Sequence, residues 1–169
     1  MLSCLGWSVP AQAGQLADGQ TFFDAPPLFQ GATTTFSGVS IDAAKYYFSF
    51  SLPANAGEPI AQINFQQQPN PDPIDFDATQ TLAFVGSQNN LGVALPIESS
   101  EWDQNTGILT VRLVPPIAPG TDFVVRLKPL SNPDVPGTYQ FRVFAFPVGN
   151  SPQAMDLGVG QLQFYRNNW

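Results

Sequence analysis

The sequence contains no histidine and only one cysteine, and both shortages exclude classes of function. Without histidine, the chain cannot build a Ser-His or Cys-His catalytic dyad, nor a histidine-ligated zinc, copper or iron site. Cys4 has no partner within the chain, so an internal disulfide and a thiolate metal cluster are both excluded. We therefore predict a protein that is not an enzyme and that needs no cofactor.

Basic residues are also scarce. Six Lys and Arg stand against 13 Asp and Glu, which gives a net charge of -7 at pH 7. A nucleic-acid-binding protein needs a basic surface to displace counterions, and an anionic membrane repels a chain of this charge. No apolar run approaches the ~20 residues that a membrane-spanning helix requires. We expect neither a nucleic-acid partner nor a transmembrane segment.

Short segments of alternating apolar and polar residues dominate what is present. Phe123, Val125 and Leu127 alternate with polar neighbours, and turn signals such as Pro119-Gly120 and Pro136-Gly137 precede such segments. A period of two between turn residues is typical of half-buried antiparallel strands. The candidate strands are 33–36, 45–52, 61–66, 74–76, 80–85, 109–113, 123–128, 139–146 and 161–165, and the polar connections are 69–73, 86–91 and 99–106.

This pattern predicts an all-β fold. The length of 169 residues suits one domain, and 14 Phe can fill a core between two sheets. We predict an Ig-like Greek-key β-sandwich of about 8–9 antiparallel strands over residues 14–169. A jelly roll is the alternative architecture.

The first residues resemble the end of an export signal. An apolar run from Leu2 to Val9 precedes Ala11-Gln12-Ala13, which fits a signal-peptidase site, although no basic residue occurs before Lys45. We expect residues 1–13 to be a truncated signal peptide and the protein to be exported, to the periplasm or the cell surface. Lipid attachment through Cys4 is a weaker alternative, since Met1-Leu2-Ser3 makes a poor lipobox.

Several turn motifs occur together and in a fixed order. They are Ala25-Pro26-Pro27-Leu28, Leu52-Pro53-x-x-Ala56-Gly57-Glu58-Pro59, Ala118-Pro119-Gly120-Thr121, Asn132-Pro133, Pro136-Gly137-x-Tyr139-x-Phe141 and Ala145-x-Pro147-x-Gly149. Over about residues 20–165, this combination resembles the cyanobacterial DUF2808 family, an exported domain of unknown function. The resemblance implies export and one compact β domain. It implies no activity, ligand or catalytic residue.

A cluster of arginine and aromatic residues is the first candidate site. Arg112, Arg126 and Arg142 occupy polar positions in three successive predicted strands, and Phe144 and Phe146 share the outward side of the last one. A hairpin would bring at least Arg126 and Arg142 together. Such a face is typical of a surface that binds another envelope protein or a glycan. Alternatively, a loop or the N-terminal segment Thr21 to Phe29 covers this face and buries its aromatic residues, or acidic neighbours neutralise the arginines.

An acidic loop is the second candidate site. Asp72, Asp75 and Asp77 lie within six residues of one another and could offer oxygen ligands to calcium. The spacing matches no EF-hand. The alternative interpretation is a solvated acidic loop that prevents an edge strand from pairing. A calcium-stabilised structural module is therefore a second functional hypothesis.

A pair of carboxylates gives the third hypothesis, a weak glycan-active enzyme. Glu98 and Glu101 flank a turn near Trp102, whose ring could stack on a sugar. Glycoside hydrolysis requires two carboxyl groups that face one ring across a set gap. Nothing in the sequence fixes that gap, and the simpler interpretation makes Trp102 a core or corner aromatic.

Overall fold

A computed structural model describes residues 16–167 of the chain. The predicted signal peptide, residues 1–13, lies outside the described residues. Within them the chain forms twelve strands and one short 3-10 turn, Ala78–Gln80. The strands are β1 (Gln20–Thr21), β2 (Leu28–Thr34), β3 (Tyr46–Leu52), β4 (Ile60–Gln67), β5 (Leu82–Ser87), β6 (Asn90–Leu95), β7 (Ile97–Asp103), β8 (Ile108–Ile117), β9 (Thr121–Leu127), β10 (Gly137–Pro147), β11 (Ser151–Pro152) and β12 (Met155–Phe164).

Ten of these strands form two five-stranded antiparallel sheets. Sheet I has the order β2-β3-β9-β5-β6, and sheet II has the order β12-β10-β4-β8-β7. β1 and β11 form a separate parallel pair. The first four strands of sheet I follow the A-B-E-D order of an immunoglobulin domain, and β12-β10-β4 follow its G-F-C order. The predicted Ig-like β-sandwich is therefore confirmed, with β6, β7 and β8 added between the D and E positions.

A tyrosine near the start of β10 supports this assignment. The hydroxyl of Tyr139 donates a hydrogen bond of 2.8 Å to the carbonyl of Val135, four residues upstream. Immunoglobulin folds carry the same arrangement, called a tyrosine corner, at the equivalent F strand. It explains one part of the Pro136-Gly137-x-Tyr139-x-Phe141 motif.

Aromatic side chains hold the two sheets together. Along β3, alternate residues from Tyr46 to Leu52 are buried, as the period of two predicts. The Phe48 ring of sheet I lies 4.7 Å from the Phe65 ring and 5.8 Å from the Phe141 ring, both of sheet II. Such pairs contribute about 0.5–1.5 kcal/mol each beyond the area that they bury. They take the place of the disulfide that antibody domains have between their sheets.

The glycines of two turn motifs have the backbone geometry that turns require. Gly57 and Gly120 have φ values of 79° and 83°, which residues with a Cβ rarely adopt. At Gly57 a Cβ would also overlap the carboxylate of Asp24, whose amide bonds the Ala56 carbonyl at 2.8 Å. The motif around Gly57 therefore fixes the chain that leads into β2.

The predicted number of strands was too low. The predicted polar connections 86–91 and 99–106 overlap the start of β6 and most of β7. Both strands lie at sheet edges, where β6 is exposed on both sides and β7 is only partly buried, so neither shows a clear apolar period. The predicted segment 74–76 forms only a single bridge, between Phe76 and Pro129. The strand expected at 33–36 begins earlier, at Leu28, and ends at Thr34.

Candidate ligand-binding face

The outer side of sheet II has a column of amide side chains at its centre. Ile63 and Phe65 of β4 are buried in the core, so the alternating residues Gln62, Asn64 and Gln66 point outward and are half-buried. Each amide carries both hydrogen-bond donors and acceptors, so this column places several donors and acceptors side by side on the central strand.

Residues of the neighbouring strands flank this column in register. On one side, β10 places Phe146 beside Gln62, Phe144 beside Asn64, and Arg142 beside Gln66. On the other side, β8 places Arg112 beside Gln62 and Thr110 beside Asn64. Directly paired residues have Cβ atoms about 4.5–5.5 Å apart, so these side chains form one continuous surface. We call this surface the amide face: Gln62, Asn64, Gln66, Thr110, Arg112, Arg142, Phe144 and Phe146.

Hydrogen bonds fix the polar groups at one end of the amide face. The Arg112 Nε donates to the Gln62 Oε1 at 3.1 Å, and the Gln62 Nε2 donates to the Asn64 Oδ1 at 2.9 Å. Each end of the Gln62 amide therefore makes one of the two hydrogen bonds that it can make. The guanidinium of Arg112 is held through its Nε, and no residue of the described range 16–167 bonds its terminal NH2 groups. A group that is oriented before binding loses less entropy when a ligand arrives.

A groove of about 320 Å³ continues the amide face beyond its end. Arg112 and Phe146 line it together with three prolines, Pro116, Pro147 and Pro152. Proline has a fixed φ and no amide hydrogen, so this wall is stiff and apolar. A chain-like ligand that lies across the amide face could extend into this groove.

Arg142 is partly neutralised at the other end. Its Nε lies 3.4 Å from the Asp156 Oδ2, and both side chains are nearly half exposed. An exposed pair of this kind contributes little to stability, about 0–1 kcal/mol. Arg142 therefore agrees with the alternative interpretation, in which acidic neighbours neutralise the arginines.

Arg126 does not join the other arginines, so its expected closeness to Arg142 was wrong. Arg126 lies on β9 between Tyr47 and Leu82, on the outer side of sheet I. The chain does not form a hairpin after β9. Instead, the segment 128–136 crosses from sheet I to sheet II, and its prolines prevent a tight two-strand turn. The amide face thus keeps Arg112, Arg142, Phe144 and Phe146 of the predicted set, and their binding role remains a prediction.

The three aspartates of the acidic loop are not gathered into one site. The Asp72 carboxylate accepts from the backbone amides of Asp134 and Val135. Asp75 accepts from the Trp102 indole nitrogen and from Gln104, each at 3.2 Å. Asp77 caps the 3-10 turn Ala78–Gln80. The part of the chain that the structure describes contains no group of three or more His, Cys, Asp or Glu that could hold a metal ion.

The pKa of Asp77 also indicates that donors within the protein stabilise its carboxylate. Hydrogen bonds from the side chains of Thr79 and Gln80 lower the pKa of this carboxyl below its ordinary value. Donors from the protein thus already stabilise the anion, as a cation otherwise would.

We expect calcium to leave thermal stability unchanged, because each carboxylate of the acidic loop already binds protein donors. The measurement is a pair of thermal melts, one with excess calcium and one with a chelator. A ligand that binds only the native state must raise the midpoint. The expectation would be contradicted if calcium raised the midpoint of the protein and this rise were absent in Asp75→Asn. Such a result would restore the calcium hypothesis.

The two candidate catalytic glutamates do not face a common ligand site. Glu98 lies at a register shift of β7 and lines the proline-walled groove, whereas Glu101 pairs with Thr110 and lines a different depression. Trp102 is turned inward, where its ring packs on Phe76 at 5.1 Å and its nitrogen bonds Asp75. Trp102 therefore packs at the edge of the core, in agreement with its interpretation as a core or corner aromatic, and its indole nitrogen bonds Asp75.

The central amides of this face were missed as functional candidates. The sequence predicts a strand at 61–66 but does not single out Gln62, Asn64 and Gln66 as binding residues. Their composition carried a signal, since all three are amides and none is charged. Amides make both donor and acceptor contacts, whereas an ordinary solvated strand face more often carries charged residues.

The chain belongs to the DUF2808 family, described as a protein of unknown function, whose sequence profile matches residues 20–164. The match covers all strands of both sheets and the amide face. Among curated proteins, no sequence is similar to this chain. The described residues contain no helical segment with the length and hydropathy of a membrane span.

Several solved structures resemble the chain at low sequence identity. The collagen binding subdomain of Enterococcus faecalis surface protein ACE is 13% identical, with a TM-score of 0.49 over 83% of this chain and 98% of that one. A collagen-binding domain from a Staphylococcus aureus adhesin is 8% identical, with a TM-score of 0.41 over 73% and 87% of the two chains. The C-terminal domain of the Streptococcus pyogenes antigen I/II-family protein AspA is 11% identical, with a TM-score of 0.47 over 80% and 46%. At these values we draw no conclusion about ligand or function.

Proposed function

We propose that the protein is an exported, non-enzymatic binding module of the cell envelope, and that its amide face binds a neutral glycan chain. The observation that carries this proposal is the uncharged amide column of Gln62, Asn64 and Gln66 between two aromatic rings and an oriented arginine. The proposal of export rests on the sequence alone, namely on the signal-like residues 1–13.

A sugar chain fits the chemistry of this face. Each sugar hydroxyl both donates and accepts hydrogen bonds, and so does each amide side chain. The half-buried rings of Phe144 and Phe146 present apolar surface against which a sugar ring can pack. The face spans the three neighbouring strands β8, β4 and β10, which suits a polymer that lies across several strands.

The charges around the face favour a neutral ligand over a polyanion. Glu101 and Asp103 lie on β7 in the rows of Asn64 and Gln66, and Asp156 lies on β12 beside Phe144. These carboxylates flank the amide face on both sides and would repel a polyanionic chain within a Debye length of about 8–10 Å. The same charges disfavour a nucleic acid.

The non-enzymatic part of the proposal is supported by the residues themselves. The chain has no histidine, and the two glutamates considered for catalysis line different depressions. Hydrolysis by two carboxylates needs both on one sugar ring.

The test is affinity electrophoresis and calorimetry with soluble neutral polysaccharides, with alginate as the anionic comparison. We expect a neutral polysaccharide to bind, and Phe146→Ala or Gln62→Ala to weaken that binding about tenfold, which corresponds to about 1.4 kcal/mol. Phe36→Ala is the matched control, because Phe36 is an exposed aromatic outside the amide face. Equal losses from Phe146→Ala and Phe36→Ala, or no binding of any neutral polysaccharide, would overturn the proposal.

A further inference from the structure

Two five-stranded sheets have four edges, and three of them are protected. The edges β2 and β12 lie against each other across the sandwich, where the backbone of Gly160 approaches the ring of Phe29. The edge β7 carries Glu98, Glu101 and Asp103, and charged residues on an edge strand discourage pairing with another chain. Among the strands that the structure describes, only β6 is neither covered by another strand nor charged, and its one irregularity is a bulge at Gly92 and Val93.

β6 combines exposed apolar side chains with an unpaired backbone edge. It pairs with β5 on one side and, within residues 16–167, with no strand on the other. Val93 is 77% exposed, the largest value among the big apolar side chains of the described residues. Gly92 and Val93 lie opposite the single residue Val85 at a register shift. Leu91 and Leu82 add further exposed apolar surface to the same hairpin.

The sequence segment around β6 carries no charged residue. Residues 78–97, which include β5 and β6, contain no Asp, Glu, Lys or Arg, although the chain carries a net charge of -7. Two copies of the protein repel each other over most approaches. At β6, the strands themselves bring no like charges together.

We propose that β6 pairs antiparallel with β6 of a second copy and joins two sheets I into one ten-stranded sheet. The unpaired amides and carbonyls of a strand edge are complementary to another strand, and a second copy supplies an equally uncharged one. The two copies use the same surface, so the contact closes as a dimer and does not continue into a fibre.

The interface is small, and the dimer is therefore weak. A six-residue strand edge with a few exposed side chains buries less than the roughly 1,200–2,000 Å² of a stable interface. Pairing also brings the acidic β7 strands of the two copies closer together. Salt screens this repulsion, so association strengthens as ionic strength rises, opposite to the behaviour of a charge-driven contact.

The symmetry of the dimer bears on ligand binding. Antiparallel pairing of identical edge strands places the two-fold axis perpendicular to the joined sheet. Both copies of sheet II then lie on the same side of it, and both amide faces point in the same direction. If the amide face binds a glycan, as proposed above, two faces can engage one polymer and raise its apparent affinity. This consequence alone rests on the proposed function.

The first test is sedimentation velocity of the full chain over a wide concentration range, at low and high salt. We expect a monomer–dimer equilibrium that shifts toward dimer with salt. Val93→Lys should weaken dimerisation about tenfold or more, because it places two lysines at the joined edge. Leu28→Lys, on the opposite edge strand of the same sheet, is the matched control and should leave the equilibrium unchanged.

A second test does not depend on the charged variant. In a Cys4→Ser background, Val93→Cys should form a covalent dimer under mild oxidation, and Leu28→Cys should remain mostly monomeric. Monomer alone up to about 1 mM at high salt, equal cross-linking of both cysteine variants, or an open series of larger oligomers would overturn the dimer. None of these experiments includes a glycan, so they test dimerisation independently of glycan binding. The dimer proposal can be wrong while the proposed function is right, and the proposed function can be wrong while the dimer proposal is right.

Discussion

Asn132→Ala is expected to lower the free energy of unfolding by about 3 kcal/mol or more. Asn132 is buried and joins three segments: its Oδ1 accepts from the Tyr46 hydroxyl at 2.8 Å, and its Nδ2 donates to the carbonyls of Phe36 and Gly38 at 2.9 and 2.7 Å. Alanine would leave all three groups without this partner. Each buried polar group that loses its partner costs about 1–3 kcal/mol. Chemical denaturation measures the loss.

Tyr46→Phe is the matched variant for this prediction. It removes only the hydroxyl and keeps the ring, which packs against Phe76 and Phe164 at 6.0 and 5.8 Å. Burial raises the pKa of this tyrosine well above its ordinary value, so its hydroxyl stays protonated and remains a donor. We expect a loss of about 1–2 kcal/mol from Tyr46→Phe and a double variant less destabilised than the sum of the two. Strict additivity would show that the two residues do not cooperate.

Phe48→Ala should destabilise the protein by about 3–5 kcal/mol. Phe48 is fully buried, and its ring contacts Phe65 and Phe141 of the opposite sheet as well as Phe29 of its own. Truncation removes apolar burial and leaves a cavity between the sheets, and buried Phe→Ala changes typically cost this much. Thermal and denaturant melts of the variant measure the change.

The control for Phe48→Ala is the same substitution at the surface. Phe36 is 47% exposed, so Phe36→Ala should change stability by much less, near ±0.5 kcal/mol. Comparable losses at both positions would mean that the aromatic contacts between the sheets do not hold the sandwich together. Because only Cys4 is available, no disulfide could compensate for a weakened core.

The fold was predictable where a strand is buried on one side only. β3 and β10 show clean alternation, since Tyr46, Phe48 and Phe50 enter the core while their neighbours do not. The same logic fails at β6, where both sides of the strand are exposed and no apolar period is imposed. Edge strands are therefore the elements that periodicity alone detects least well.

The candidate site was only partly predictable, because sheet membership is not local. The alternation placed Arg126 and Arg142 correctly on outward positions, but the crossing segment 128–136 put them on opposite outer faces. The amide column depended on β4 lying between β8 and β10, far apart in sequence. Similarly, the bond from Trp102 to Asp75 joins positions 27 residues apart, which no spacing rule could indicate.

The most direct test of the proposed ligand-binding face is an NMR titration with an oligosaccharide of a neutral polysaccharide that binds. Side-chain NH2 signals of Gln62, Asn64 and Gln66 report on the centre of the amide face. We predict that these signals, with the Nε–H of Arg112, shift and saturate together, while signals from the outer side of sheet I, including Arg126, stay in place. Shifts confined to sheet I, with the amide signals unmoved, would contradict the account.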